Sequence, residues 1–511
     1  MLASGPPKKR RRIGSSVAEG VASPMPDASP PKLVDWQQSP TFPLAENLFL
    51  SPARMLQPDV FSQDPGYLAS QEQLRGIIFS LAHSAAPTRG TSPEGDASGD
   101  VDQISPRRFS ESPLQLNREL QQSQPLIRPC LSDRRRVDYL KNYATQVAPW
   151  LRELTSKFQL DMFDSQCTFR QELPALAQSF PALTYAILAI SARQMERKNN
   201  TQGSFDSLEL YQEAIRLLSP RLQERDPKIV AACVLLCCLE MMSARAQDWR
   251  RHLEGCAALF DAFDINGFGK VLLRALFWCY ARMDLCGALI SDGTQATLLH
   301  PSKWIPQGYC EEDARRLFQA FMSPDMHANY AVYLCAKVTE LISDRTKFVE
   351  LEESNGCTME VFSSRWLQQW NDLQNWLSER PKELLPAETI NDMPFPRILF
   401  VHFAAISSNQ LYHTAAILLL KMIPKGIKLP RSPYASLLWH ARRICGISLT
   451  NPHQGCLNNA LQPLWIAGRL FSHPSEHEKI TKLIRDIEVE TGWGMSWRIR
   501  DLETAWGYRS N

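Results

Sequence analysis

Residues 229–242 read IVAACVLLCCLEMM, and they decide how this chain folds. The run is apolar almost all round, which a helix tolerates only when neighbours cover every side of it. Asp226-Pro227, just before it, pairs a cap residue with a first-turn proline. Upstream, Pro181–Lys198 sets Leu183, Ile187, Ile190 and Met195 near one face at three-to-five spacing, with Ser179 as cap. Leu208–Leu222 repeats the pattern through Tyr211, Ile215 and Leu218. Downstream, Asp248–Phe263 is amphipathic, and Asn266-Gly267 offers a turn. Four successive helices around one fully apolar member form the nucleus of an all-α domain.

Further out, Ser132 caps a helix running through Tyr139, Leu140, Tyr143, Val147 and Leu151. Beyond Met283 the periodicity predicts helices over Glu311–Met322, Asn329–Ser343, Val361–Glu379, Pro396–Met422, Pro433–Leu449, Asn458–Phe471, Pro474–Glu490 and Met495–Trp506. Gly492 ends the penultimate one. Leu285–Gln307 and Glu350–Met359 read as loops, and no alternating run predicts a strand. No fixed-period repeat is present. The expected fold is a large irregular helical array over residues 132–511.

Residues 1–131 differ in kind. They hold about half of the prolines and one tryptophan, Trp36, and their serines often precede proline, as at Ser23, Ser29, Ser39, Ser51, Ser92, Ser105 and Ser112. Such a segment buries too little apolar area to offset its ordering entropy, so it reads as a disordered arm. Within it, Gln71–His83 places Leu74, Ile77, Ile78 and Leu81 on one helical face, fit to fold against a partner or the main domain, or to remain a transient helix. Lys8, Lys9, Arg10, Arg11 and Arg12 follow Pro6-Pro7. Five adjacent cations on an extended accessible segment suit the acidic groove of a nuclear import receptor, so these residues read as a nuclear localisation signal.

A net charge of +2 argues against a chain that coats nucleic acid or a membrane surface. No segment reaches the roughly 18–20 uninterrupted apolar residues of a membrane span. The nearest, Ile398–Ile423, is broken by His402, Ser407, Ser408, Asn409, Gln410 and His413. The thirteen cysteines sit mostly inside apolar helical patterns, as small hydrophobes do in a reducing compartment. Cys233, Cys237 and Cys238 share one helix without a second pair beside them, so they read as core. His473 and His477 have the spacing of a zinc pair but not its HExxH order, and read as helix-start polar residues. Asp264-Ile-Asn266-Gly267 lacks the carboxylates of a calcium loop, and Gly267-Phe-Gly269-Lys270 lacks the glycine spacing of a phosphate cradle. His252, His402, His413 and His440 receive no role. No catalytic residue, cofactor site or metal ligand is assigned.

The run CVLLCCLEMMSARAQDWRRHLEGCAALFDAFDINGFG, followed by ALFWCYARMD, resembles the fungal-specific transcription factor domain, in the branch that includes the acriflavine sensitivity control protein. ARRICGISLTN, GCLNNALQPLWIAGRLFSHPSEHEKI and IEVETGWGMSWRIRDLETAWGY extend the likeness, which spans roughly Asp133 to Tyr508. The resemblance implies a regulator acting in the nucleus through a helical domain that contacts transcriptional coregulators and a small effector. It implies control of a metabolite gene cluster or of drug tolerance. It also implies a zinc binuclear cluster built on six cysteines, and no such array occurs in these residues. Zinc is therefore expected only with an upstream cysteine cluster, and DNA contact only through such a module, missing here or on a partner. A DNA-free adaptor and a small-molecule binder or enzyme with a cavity between helices are the alternatives. An exposed helical face would permit a homodimer.

Overall fold

The computed structural model describes residues 60–85, 133–148, 160, 163–199, 205–221, 224–243, 246–291, 293–494 and 497–508. They all fall in one compact unit, Arg54–Asn511. The basic run Lys8–Arg12 lies outside the described residues. Seventeen α-helices and one β-hairpin make up the fold among those described.

The first half is α1 (Val60–Gln63), α2 (Pro65–Ala85), α3 (Asp133–Asn142), α4 (Thr168–Ala177), α5 (Pro181–Asn199), α6 (Asp206–Leu218), α7 (Pro227–Ser243), α8 (Ala246–Ala262) and α9 (Val271–Ile290). The expected apolar helix is α7, and it is surrounded: α4, α5, α6, α8 and α9 all pack on it. Fourteen of its 17 residues are buried, Glu240 among them. Asp226 caps it, its carboxylate accepting the Lys228 amide at 2.9 Å. Ser179 does not cap α5. Its hydroxyl donates back to the Leu176 carbonyl at 3.0 Å, closing the turn that follows α4.

Part of the stretch 1–131 belongs to this body. The predicted Gln71–His83 face is the middle of α2, which lies across α6 and α8. Leu74, Ile77 and Ile78 are buried there, and Phe61 and Tyr67 beside them enter the same core. Docking on the main domain is thus the option realised, because an apolar stripe of this width gains by burial against α8.

The second half is α10 (Ala314–Ala320), α11 (Pro324–Glu350), α12 (Met359–Ser378), the hairpin β1 (Glu388–Ile390) and β2 (Arg397–Leu399), then α13 (Phe403–Lys421), α14 (Leu437–Thr450), α15 (Gln454–Gly468), α16 (Pro474–Thr491) and α17 (Trp497–Ala505). It has its own central helix. Eighteen of the 19 residues of α13 are buried, with α11, α12, α14 and α15 around it. Most of the polar residues that interrupt Ile398–Ile423 in sequence find partners inside, although Gln410 Oε1 is left without one. Asn409 Nδ2 donates to the Ala405 carbonyl at 2.7 Å, and Gln410 Nε2 to Ser448 Oγ at 2.7 Å. No helix among the described residues is long and apolar enough to cross a membrane.

Three expectations fail here. Pro396–Met422 is not one helix. Arg397–Leu399 pairs antiparallel with Glu388–Ile390, Thr389 opposite Ile398, before α13 starts. The region 285–307 is not all loop, since α9 continues to Ile290. The helix expected through Leu151 leaves α-geometry at Tyr143 for a single π-turn ending at Val147, and residues 149–151 lie outside the described set. Gly492 does terminate α16, with φ of 80° and its amide on the Glu488 carbonyl at 2.9 Å. The two halves share one continuous core: α9 packs on α11 and α15, and α16 returns to α5.

Candidate functional site

Among the described residues, several groups of side chains with chemical potential gather in or near the core, and four of them bear on function. The first centres on Glu240, the single acid of α7. It accepts from the Tyr211 hydroxyl and pairs with His252 Nδ1, and Gln71 Nε2 donates to it at 3.0 Å. Burial, then the neighbouring carboxylate, holds the Tyr211 phenol well above its ordinary range. Three donors around one buried carboxylate satisfy it. His252 Nε2 finds no partner and faces a cleft of about 50 Å³ lined by Gln71, Glu72, Arg75, Arg251 and His252. That is less than two water volumes at about 30 Å³ each. The Glu240–His252 pair therefore clamps α2 and α8 onto α7 rather than facing a substrate-sized room.

The second group is His300, Glu311 and Glu340, whose ligand atoms lie within 4.8 Å of one another. The space between the carboxylates is taken: Lys337 Nζ sits 2.5 Å from both Glu311 and Glu340. Burial acts to raise Glu340, but the hydrogen bond from His300 at 2.5 Å and the Lys337 ammonium outweigh it, holding the carboxyl down to about 2. An ammonium in that position repels a metal cation, so the group is an ion network.

The third group is sulfur. Cys233, Cys237 and Cys238 are all buried in α7, as the sequence reading expects of core residues. Cys238 Sγ lies 4.0 Å from Cys279 Sγ and 3.5 Å from Met283 Sδ, all against apolar neighbours. Burial drives the Cys233 thiol well up, so it is a poor metal-binding thiolate. Apart from the three in α7, the described cysteines are scattered over other helices and loops, and they do not gather into the set a binuclear zinc cluster requires. His473 behaves as read: its ring caps α16, accepting the Ser475 amide at 3.2 Å. His477 instead stacks on Trp506 with ring centroids 3.8 Å apart. His413 and His440, given no role above, face each other at 2.8 Å in the core. Burial lowers both, His440 to about 4.

The fourth group lines a cleft of about 190 Å³ between α9, residues 163–166 and the start of α11. Asp325 and Asn329 stand one turn apart in α11, at 6% and 1% exposure. Asp325 Oδ2 accepts the Ser165 amide at 3.0 Å. Asp325 Oδ1 and Asn329 Oδ1 are buried without a partner. Sequence reasoning missed both, because helical periodicity treats an Asp at a helix start and an Asn four residues on as ordinary surface.

No nucleophile–base pair with room for a substrate emerges among the described residues. The sequence matches the model of the fungal specific transcription factor domain over residues 138–510. The chain belongs to that family. A curated relative is the Transcription activator AMTR1 of Alternaria alternata, 22% identical over 427 residues. The match takes in 71% of this chain and 51% of the relative, so the chain spans about half the length of that protein. No solved structure matches the chain.

Proposed function

We propose that this chain acts in the nucleus, through contacts made by its helical body with transcriptional coregulators, and that its output is activation. The observation that carries this is the family match over 138–510, which spans the packed body from within α3 to α17 and leaves out α1 and α2. The activating sign is taken from the relative's name. Entry to the nucleus is by an import receptor bound to Lys8, Lys9, Arg10, Arg11 and Arg12. Contact with DNA belongs to a zinc-cluster module other than residues 1–511, on this polypeptide or a partner, since the cysteines here do not fit one.

The reading is non-enzymatic. What supports this is the use of the buried polar groups: the Glu240 and Glu340 centres are internally neutralised, and the cleft beside His252 is too small for a substrate. Replacing residues 8–12 by alanine in a fluorescently tagged chain tests the import step. Loss of nuclear accumulation is expected, and accumulation equal to the parent would remove the signal.

A further inference from the structure

The cleft at the start of α11 is built to receive donors. Two of its lining residues, Asp325 and Asn329, each carry a buried acceptor with no partner, Asp325 Oδ1 and Asn329 Oδ1. They lie on one face of α11, four residues apart. The other oxygen of Asp325 is fixed by the Ser165 amide, which holds the carboxylate in place. Asn329 Nδ2 reaches only the Met326 sulfur, at 3.9 Å, so nothing else orients its amide. Leaving such acceptors unmet costs about 1–3 kcal/mol each, and folded proteins seldom do so.

Part of the wall is apolar, the rest being polar residues such as Gln166 and Ser323. Phe163, Ala275, Trp278 and Met326 are buried lining residues, and Phe321, 41% exposed, stands at the rim with the Arg274 guanidinium over its ring. Asp164 and Asp325 outweigh Arg274 among the charged lining groups. A room of this kind favours a cation with several N–H donors on an apolar body. Size narrows it further. A cavity of about 150 Å³ accommodates benzene, and this one, at about 190 Å³, takes one ring with a short chain.

We propose that this cleft binds a small primary amine carried on a single ring or an apolar group of that size, its ammonium donating to Asp325 Oδ1 and Asn329 Oδ1. The site goes beyond the regulatory reading, since binding is measured on the purified chain whatever that chain does at a promoter.

Calorimetric titration of the full chain with 2-phenylethylamine, 2-phenylethanol and phenylacetate tests it. The amine binds, and the alcohol and the acid bind roughly thirty-fold more weakly or less, the scale on which a buried charge-assisted pair discriminates. Asp325→Asn keeps an acceptor for the Ser165 amide but loses the charge, and weakens the amine by a similar factor. Ala275→Leu fills the cleft without touching either acceptor and abolishes binding. It decides the matter if Asp325→Asn fails to fold by circular dichroism. No heat with the amine, equal affinity for the alcohol, tighter binding of phenylacetate, or amine affinity intact in Ala275→Leu would each overturn the assignment.

Discussion

Gln71 and Glu240, 169 residues apart in sequence, meet at 3.0 Å in the core, the amide of α2 donating to the carboxylate of α7. Through this contact a helix from the proline-rich N-terminal stretch becomes part of the body. Glu240 also serves Tyr211 and His252, so α2, α6, α7 and α8 converge on one charge. Glu240→Ala leaves two buried donors, Tyr211 and His252, and the half-buried Gln71 amide without an acceptor, and should cost about 3–5 kcal/mol in urea unfolding. Tyr211→Phe removes one donor and should cost about 1 kcal/mol. Equal losses from the two would show that the carboxylate is not the hub.

Docking of α2 rests on its apolar stripe as well. Ile78 is fully buried and lies against Gly255 of α8, where an added Cβ would come within 3.0 Å of its side chain. Ile78→Asp places a charge in that contact, and release of α2 is less costly than burying it. Residues 65–85 should become open to limited proteolysis, where the parent protects them, while α5–α9 stay protected. Gly76→Ala should do the opposite. Gly76 is exposed in mid-helix with nothing within 4 Å of an added Cβ, and the change should stabilise by about 0.5–1 kcal/mol.

Glu340 and His300 give the fold a pH signature. The carboxyl is depressed to about 2 from an ordinary 4.5, so its contribution is complete above pH 4.5 and is lost as pH falls through about 2. Over that window it is worth roughly 3 kcal/mol. His300 is raised above its ordinary 6.5, chiefly by the hydrogen bond to Glu340. Its contribution is complete below pH 6.5 and fades as pH rises through the raised value. The imidazole is 57% exposed, so solvent screens that alkaline loss, which is the smaller of the two. The shifts report one contact and do not add. Glu340→Gln should flatten stability between pH 2 and 4.5 in denaturation curves, and His300→Gln should remove the loss above pH 6.5.

Gly446 marks the closest approach of α14 to the hairpin. A Cβ there would overlap the backbone carbonyl of Pro396, which cannot swing aside as a side chain would. Gly446→Ala should destabilise by about 1–3 kcal/mol. At Gly269 the nearest atom to an added Cβ is 3.8 Å away, and Gly269→Ala should be close to neutral by the same measurement.

These contacts also show what the sequence made legible. The apolar run 229–242, the Asp226-Pro227 start and Gly492 each state a local requirement, and each is met where it was read. The hairpin was hidden because its strands are three residues long, and β2 abuts an apolar run that continues into α13. Glu240 was hidden because one acid in an apolar helix changes the periodicity little. Its partners arrive from α2, α6 and α8, a relation of tertiary structure with no local signal. Asp325 and Asn329 were unreadable for the same reason, since their burial depends on residues 163–166 and α9 closing over them.

The central claim is that the helical body alters transcription by contact. The direct measurement is output from a reporter promoter bearing sites for an unrelated DNA-binding domain fused to residues 1–511. The account predicts output above that of the DNA-binding domain alone, and lower output when Glu240→Ala destabilises the body. Output equal to the DNA-binding domain alone, with the fusion present in the nucleus at the same level, would contradict it.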